Sequence, residues 1–369
     1  MAGTKIHELN VLGQSVWLDF IQRSLIQSGD LLDYVELGLS GITSNPAIFE
    51  KAISDSTDYD QQMEELAEAG KTPQEIYEAL TVEDARRAAD VLRPVFDQTR
   101  GTDGFFSLEV EPHLAHDKTG TIAAAEWLFK LADCPNVMIK VPATEEGYGA
   151  IQELTEAGIN VNITLMFSQG QHERVAEAFI SGLEKRLAKG YSLKGLASVA
   201  SFFVSRVDTV VDKRLDECKT PEAESLKGRI GIANAKMAYQ QFIEIFHSHR
   251  WLQLEDQGAN IQRVLFGSTG TKNPEYSDVM YVENLIGEYT INTIPRETLD
   301  AFMDHGKVAL TLEQNLDEAR SQLDQLAKLG IDLEEVGQEL LDDGIDKFIK
   351  PYDSLIRDIA EKSAELIAH

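Results

Sequence analysis

An alternation that runs through most of the chain constrains the fold most. Short runs rich in β-branched and apolar residues recur: SVWLDF (15–20), SGITSN (40–45), FFSLEVE (105–111), NVMIKVPA (136–143), INVNITLMF (159–167), LASVASFFV (196–204) and RVLFGS (263–268). Between them lie stretches with helical spacing, such as AAEWLFKLAD (124–133), GQHERVAEAFISGLEKRLAKG (170–190) and the segment from Glu222 to Arg250. Strands that alternate with helices point to an α/β fold with a parallel sheet. An eighth run, YTINTI (289–294), completes the count for a closed (β/α)8 TIM barrel.

Such a barrel needs roughly 250 residues, and the chain has 369. The excess falls in two places. One is an acidic helical insertion at about 48–100; the other is a helical C-terminal extension at about 296–369. No fixed-period repeat and no low-complexity linker interrupts the pattern. The expectation is one domain over residues 1–369 carrying these two additions, with a separate helical C-terminal domain as the alternative.

Within the strands a second pattern appears. Alternate residues of a strand share a face. In FFSLEVE, Ser107, Glu109 and Glu111 share one face, and Phe106, Leu108 and Val110 the other. In INVNITLMF, Asn160, Asn162 and Thr164 lie opposite Val161, Ile163 and Leu165. Asp19 shares a face with Trp17, and Lys140 with Met138. A barrel strand packs one face on helices and turns the other into the interior. These polar residues are therefore expected to point inward and to gather at the C-terminal strand ends, where barrel active sites form.

Composition narrows the function. The net charge of −28 argues against broad nucleic-acid binding and against docking on anionic membranes. One local cationic pocket would still take a small phosphorylated substrate. Two cysteines, Cys134 and Cys218, are too few for a disulfide framework and suggest a reducing compartment. The N-terminal MAGTKIHELNVLGQ lacks an apolar signal core, and no apolar run reaches the ~18 residues of a membrane span. A cytoplasmic location is expected. The histidine pairs His113/His116 and His247/His249 lack partners in a metal-ligand pattern, and no G-x-G-x-x-G or Walker loop is present. No cofactor is expected.

An inward lysine among carboxylates suits one chemistry. Burial disfavours the charged form of a lysine, and a neutral amine attacks carbonyls to form a Schiff base. The iminium is an electron sink for making or breaking the adjacent carbon–carbon bond, provided a base takes a hydroxyl proton. Asp19 and Glu109 are the candidate proton carriers. The structural alternative for Lys140 is a buried ion pair with one of these acids.

In family order, the motifs VWLDFIQRSL, GITSNPAIF, SLEVEP, VMIKVPAT, GINVNITLMFS and ASFFVSRVD resemble the transaldolases, Schiff-base aldolase barrels, from about residue 11 to 295. Length and the STGTKNP segment are similar to the longer bacterial type. The resemblance implies Lys140 as the Schiff-base lysine and Asp19 as acceptor of the sugar hydroxyl proton. It implies that Glu109 and Thr164 hold a catalytic water, and that Asn45 and Asn162 bind the sugar. Ser201 and Arg206 match S-x-F-x-x-R, where the arginine binds the substrate phosphate, and Phe203 is the aromatic of that motif. The second phosphate site, often Ser-Phe-Arg, here reads FGSTGTKNP (266–274), with Ser268 and Lys272 as nearest equivalents.

Small relatives resembling fructose-6-phosphate aldolase carry Gln at the acid and Tyr at the aromatic. Glu109 and Phe203 therefore imply transfer of a dihydroxyacetone unit between sugar phosphates, without a cofactor, in the pentose phosphate pathway. A free aldolase and a non-catalytic phosphosugar-binding barrel are the alternatives. The sequence leaves a monomer and a homodimer both open.

Overall fold

The computed structural model describes residues 3–367. Eight parallel strands close into a barrel in sequence order: β1 (Gln14–Leu18), β2 (Gly41–Thr43), β3 (Phe105–Glu109), β4 (Val137–Pro142), β5 (Val161–Met166), β6 (Ser198–Phe203), β7 (Arg263–Gly267) and β8 (Thr290–Ile294). β1 pairs with β8 to complete the ring. Each strand lies within a run expected from the sequence, except that β1 begins one residue earlier, at Gln14.

The two faces segregate by residue type. Val16, Leu18, Ile42, Phe106, Leu108, Ile139, Val141 and Ile163 point outward into the large cluster shared with the helices. Trp17, Phe105, Met138, Val199, Leu265 and Ile291 fill the lower interior. Burying each such side chain stabilises the fold by about 1.5–3 kcal/mol. Gly41 of β2 faces the same layer, where a Cβ would come 2.5 Å from the Trp17 ring. Two residues further along their strands, the interior turns polar, at Asp19, Thr43, Ser107, Lys140, Ser201 and Thr293.

Three expectations need correction. The segment from Glu222 to Arg250 is not one helix but Pro221–Glu224, Ile230–Phe246 and His249–Asp256. Gly228 with φ +66° breaks the first junction, and Ser248 caps the third helix by accepting from the Trp251 N–H at 3.3 Å. Glu111 leaves the inner face, because β3 ends at Glu109, and instead accepts a hydrogen bond from Gln74 Nε2 at 3.2 Å. Leu165 does not stay with Ile163. Its φ of +60° and a register shift between β5 and β6 turn it toward the C-terminal helix.

That helix, Leu333–Leu366, crosses the mouth of the barrel. Gly344 lies against Leu165, where a Cβ would approach Cδ2 to 2.8 Å. Glu334 accepts from Ser168 Oγ at 2.6 Å and from the Gly170 N–H at 3.0 Å. At the far end Asp358 accepts from Ser54 Oγ at 2.7 Å. The region at 48–100 forms three helices, Pro46–Ser54, Asp60–Glu68 and Pro73–Gln98. Among the described residues no helix is long and apolar enough to cross a membrane.

Candidate active site

Strand register builds the centre of the site. β4 pairs Lys140 with Glu109 of β3 and Asn162 of β5, so three polar residues stand side by side. Lys140 Nζ donates to the Ser44 carbonyl at 2.9 Å and lies 3.2 Å from Glu109 Oε2. The two side chains are only 5% and 7% exposed, so the ion pair is shielded from solvent. The contact is not well aligned as a hydrogen bond, so the attraction of the two charges leads in holding the pair. Burial pushes the Glu109 carboxyl above its ordinary range; the Lys140 charge pulls it back, and the nearby Asp19 pushes it further up.

Asp19 follows β1 directly. Its N–H donates to the Ile294 carbonyl at 3.0 Å, and Thr43 Oγ1 donates to its Oδ1 at 2.8 Å. Thr43 and Thr293 share a 2.6 Å hydrogen bond behind it. Although partly open at the mouth, Asp19 is surrounded deeply enough for desolvation to raise its carboxyl. Lys140, the Thr43 hydroxyl, Arg206 and Lys272 draw it back down. Groups from β2, β4 and the segments after β6 and β7 thus converge on one carboxylate.

On β5, Asn162 spans the interior. Ser201 Oγ donates to its Oδ1 at 2.6 Å, and its Nδ2 donates to Ser107 Oγ at 3.0 Å. The Ser201 hydroxyl is thereby spent on orienting Asn162. Thr164 is fully buried, and its Oγ1 has no partner among the described groups. Asn45 caps the helix Pro46–Ser54 by accepting from the Ile48 N–H at 3.0 Å with Oδ1, which leaves its Nδ2 for other contacts.

Two cations flank the rim. Arg206 opens the helix Ser205–Cys218, whose N-terminus has no side-chain cap. Its guanidinium lies 5.4 Å from the Phe203 ring centre, and Nη1 is buried without a partner. Burial lowers its pKa, against Asp343 of the C-terminal helix and Asp19. Phe203 packs edge-on to Phe167 at 5.4 Å. Ser268, with φ +53°, shares a 2.9 Å hydrogen bond with Ser205 Oγ and accepts from the Ser205 N–H at 3.0 Å. These bonds tie the segment after β7 to the arginine's helix. Lys272 is exposed on that segment. Neither Arg206 nor Lys272 forms an ion pair among the described residues.

Sequence reasoning missed three contributors. Thr43 lay on the inner face of GITSN and could have been found by alternation. The Ser44 carbonyl and Phe348 could not. Phe348 comes from the C-terminal helix, with its ring centre 5.9 Å from Lys140 Nζ. No local pattern links residues so far apart. The histidines make separate contacts: His113 with Asp353 at 2.7 Å, His116 with Glu146 at 3.3 Å, and His247 with the Ile243 carbonyl at 2.9 Å.

Comparison with known proteins agrees with this arrangement. A family model described as transaldolase/fructose-6-phosphate aldolase matches residues 16–359. A protein named transaldolase 2 from Streptomyces avermitilis is 45% identical, over 95% of each chain. A transaldolase from Trichodesmium erythraeum is 44% identical over 99% of each, and one from Thermobifida fusca is 44% identical over 98% of this chain and 99% of its own. With a buried lysine paired to one carboxylate and acting through its charge on a second at the mouth of an eight-stranded barrel, and with relatives aligned nearly end to end, the chain belongs to the transaldolase/fructose-6-phosphate aldolase family.

Proposed function

We propose that the protein is a transaldolase, moving a dihydroxyacetone unit between sugar phosphates through a Schiff base on Lys140. The donors are sedoheptulose 7-phosphate or fructose 6-phosphate; the acceptors are glyceraldehyde 3-phosphate or erythrose 4-phosphate, as in the pentose phosphate pathway. The carrying observation is the shielded amine of Lys140, in contact with Glu109 and electrostatically linked to Asp19.

The amine attacks the donor's C2 carbonyl once its proton has passed to Glu109, whose raised carboxyl suits it to hold that proton. The carbinolamine then loses water to give the iminium. Glu109 Oε2, which beside the Lys140 ammonium makes no well-aligned hydrogen bond, and Thr164 Oγ1, buried without a partner, are suited to hold the water that carries these protons. Asp19 takes the proton of the C4 hydroxyl, the C3–C4 bond breaks, and its electron pair flows into the iminium. An aldehyde phosphate leaves, and a three-carbon enamine stays on Lys140. An acceptor aldehyde is attacked by the enamine carbon, its oxygen regains a proton from Asp19, and hydrolysis frees the new ketose. Arg206 reads the phosphate with its planar fork, supported by Ser268 and Lys272. Lysine supplies the electron sink, so the reaction requires no metal or organic cofactor.

Glu109 and Phe203 favour transfer over free aldol addition, because an apolar ring beside the site offers no proton to the enamine. The same reading takes the chain as one domain acting in the cytoplasm, where its phosphorylated substrates are found, and leaves monomer and homodimer open. Borohydride reduction after incubation with fructose 6-phosphate tests the proposal. A stable adduct on the peptide containing Lys140 is expected, and its absence sinks the reading. Product analysis with and without an acceptor aldehyde separates transfer from free aldolase activity.

A further inference from the structure

The region at 48–100 makes its densest polar contacts with one short segment, the residues that follow Asp19. Residues 19–22 have no regular structure, and the helix Arg23–Gln27 begins without a side-chain cap of its own. Its missing cap comes from the insertion, since Asp58 Oδ2 accepts from the Ser24 N–H at 3.1 Å and from Gln22 Nε2 at 3.1 Å. Arg23 is drawn inward, its side chain 4% exposed against a fully buried Asp84. Its Nε donates to Asp84 Oδ1 at 2.8 Å and its N–H donates to Tyr59 Oη at 3.1 Å. Tyr59 Oη in turn donates to Asp84 Oδ2 at 2.8 Å, and the guanidinium stacks 4.4 Å from the Tyr59 ring centre.

This anchor is more than a generic buried ion pair. Across three consecutive residues it binds the Gln22 side chain, the Arg23 backbone and side chain and the Ser24 backbone, from one helix and the loop before its neighbour. Asp19 is joined to β1 on one side and, only three irregular residues away, to this anchor on the other. Toward the barrel it is held by one backbone hydrogen bond and by Thr43. A proton carrier must stay within hydrogen-bond reach of its proton, and a misplacement of about 1 Å can cost on the order of 100-fold in rate.

We propose that the insertion is a positioning device for Asp19, in which Arg23, Tyr59, Asp84 and Asp58 fix the segment after β1 and thereby the carboxylate that takes the C4 hydroxyl proton. This rests on the role of Asp19 given above. It assigns the added helices a task in carbon–carbon cleavage and none in Schiff-base formation.

The test separates those two steps. Incubated with fructose 6-phosphate and reduced with borohydride, the wild-type enzyme should carry chiefly the three-carbon adduct on Lys140. Tyr59→Phe keeps the ring under Arg23 and removes both hydroxyl contacts. Asp58→Ala, at a partly exposed position, is a second variant that does not touch the buried core. Each is expected to lower kcat about 10-fold, to leave KM for the donor within about twofold, and to shift the trapped species toward the uncleaved six-carbon adduct. Asp19→Asn should show the same shift in full. Wild-type kcat with an unchanged adduct ratio in both variants overturns the proposal, as does a proportionate loss of both adducts, which marks mere destabilisation. If the wild-type enzyme forms no adduct, the Schiff-base reading itself fails, and that result is recognisable without either variant.

Discussion

At the floor of the barrel Arg263 faces Asp103; at the mouth Lys140 faces Glu109. Both pairs lie inside the same ring of strands, yet they are finished differently. Arg263 Nη1 lies 3.4 Å from Asp103 Oδ2, and Nη2 donates to Ser15 Oγ and to the Thr290 carbonyl, each at 2.6 Å. Asp103 Oδ1 accepts from Trp17 Nε1 at 2.8 Å and from the Gly104 N–H at 3.0 Å, while Oδ2 accepts from Ser15 Oγ. Neither residue has a buried atom without a partner. At the mouth, Thr164 Oγ1 and Arg206 Nη1 lack one, and Glu109 Oε2 has the Lys140 ammonium 3.2 Å away but no well-aligned hydrogen bond. A buried polar group left unpaired costs roughly 1–3 kcal/mol. The floor pair is completed by the fold, whereas the mouth keeps polar atoms whose hydrogen bonds the described residues do not complete.

That contrast can be broken or sharpened by mutation. Lys140→Met should abolish turnover, by at least about 10⁴-fold, and eliminate borohydride trapping, while the far-ultraviolet circular dichroism stays that of the folded barrel. Asp19→Asn should lower kcat by roughly 10²–10⁴-fold with trapping retained, as stopped assays and peptide mass spectrometry can show. Arg263→Met should do the reverse. Leaving the Asp103 charge buried without its cation is expected to cost about 3 kcal/mol in a denaturant melt, with kcat per folded molecule unchanged; a large loss of kcat would dissolve the distinction between floor and mouth.

A smaller effect concerns Asp208, on the arginine's helix. Tyr281 Oη donates to its Oδ2 at 2.9 Å and the Gly231 N–H to its Oδ1 at 2.7 Å, yet burial pushes its carboxyl up to about 7. The unfolded chain loses that proton near pH 3.8 and the folded chain near 7, so this group lowers stability progressively as pH rises between the two values. Melts of Asp208→Asn should lack that part of the decline, so its stability relative to wild type should improve as pH rises across the window. A stability difference that does not vary with pH would refute the shift.

Much of this was legible in the sequence because strand physics is local. The β-branched runs marked all eight strands, and strict alternation placed Trp17, Asp19, Met138 and Lys140 on the inner face. What failed were features that break local rules. Leu165 left the alternation because one residue took positive φ, which a leucine does not announce. Glu111 left it because the strand stopped two residues early. The break at Gly228 looked like one more residue in a helical pattern. Phe348, Tyr59 and Asp84 reach their partners only through tertiary packing, so no spacing in the sequence could reveal them. The resemblance to a known family implied which residues react but was silent on what holds them in place.

Phe348 carries one further consequence, in the order of synthesis. Lys140 and all eight strands leave the ribosome before the helix that lays Phe348 beside the amine. A barrel caught at that stage would have the Lys140–Glu109 pair in place without the ring that later lies over it. The crossing helix therefore sets a moment in the life of the chain, after which the lysine is enclosed on that side as well.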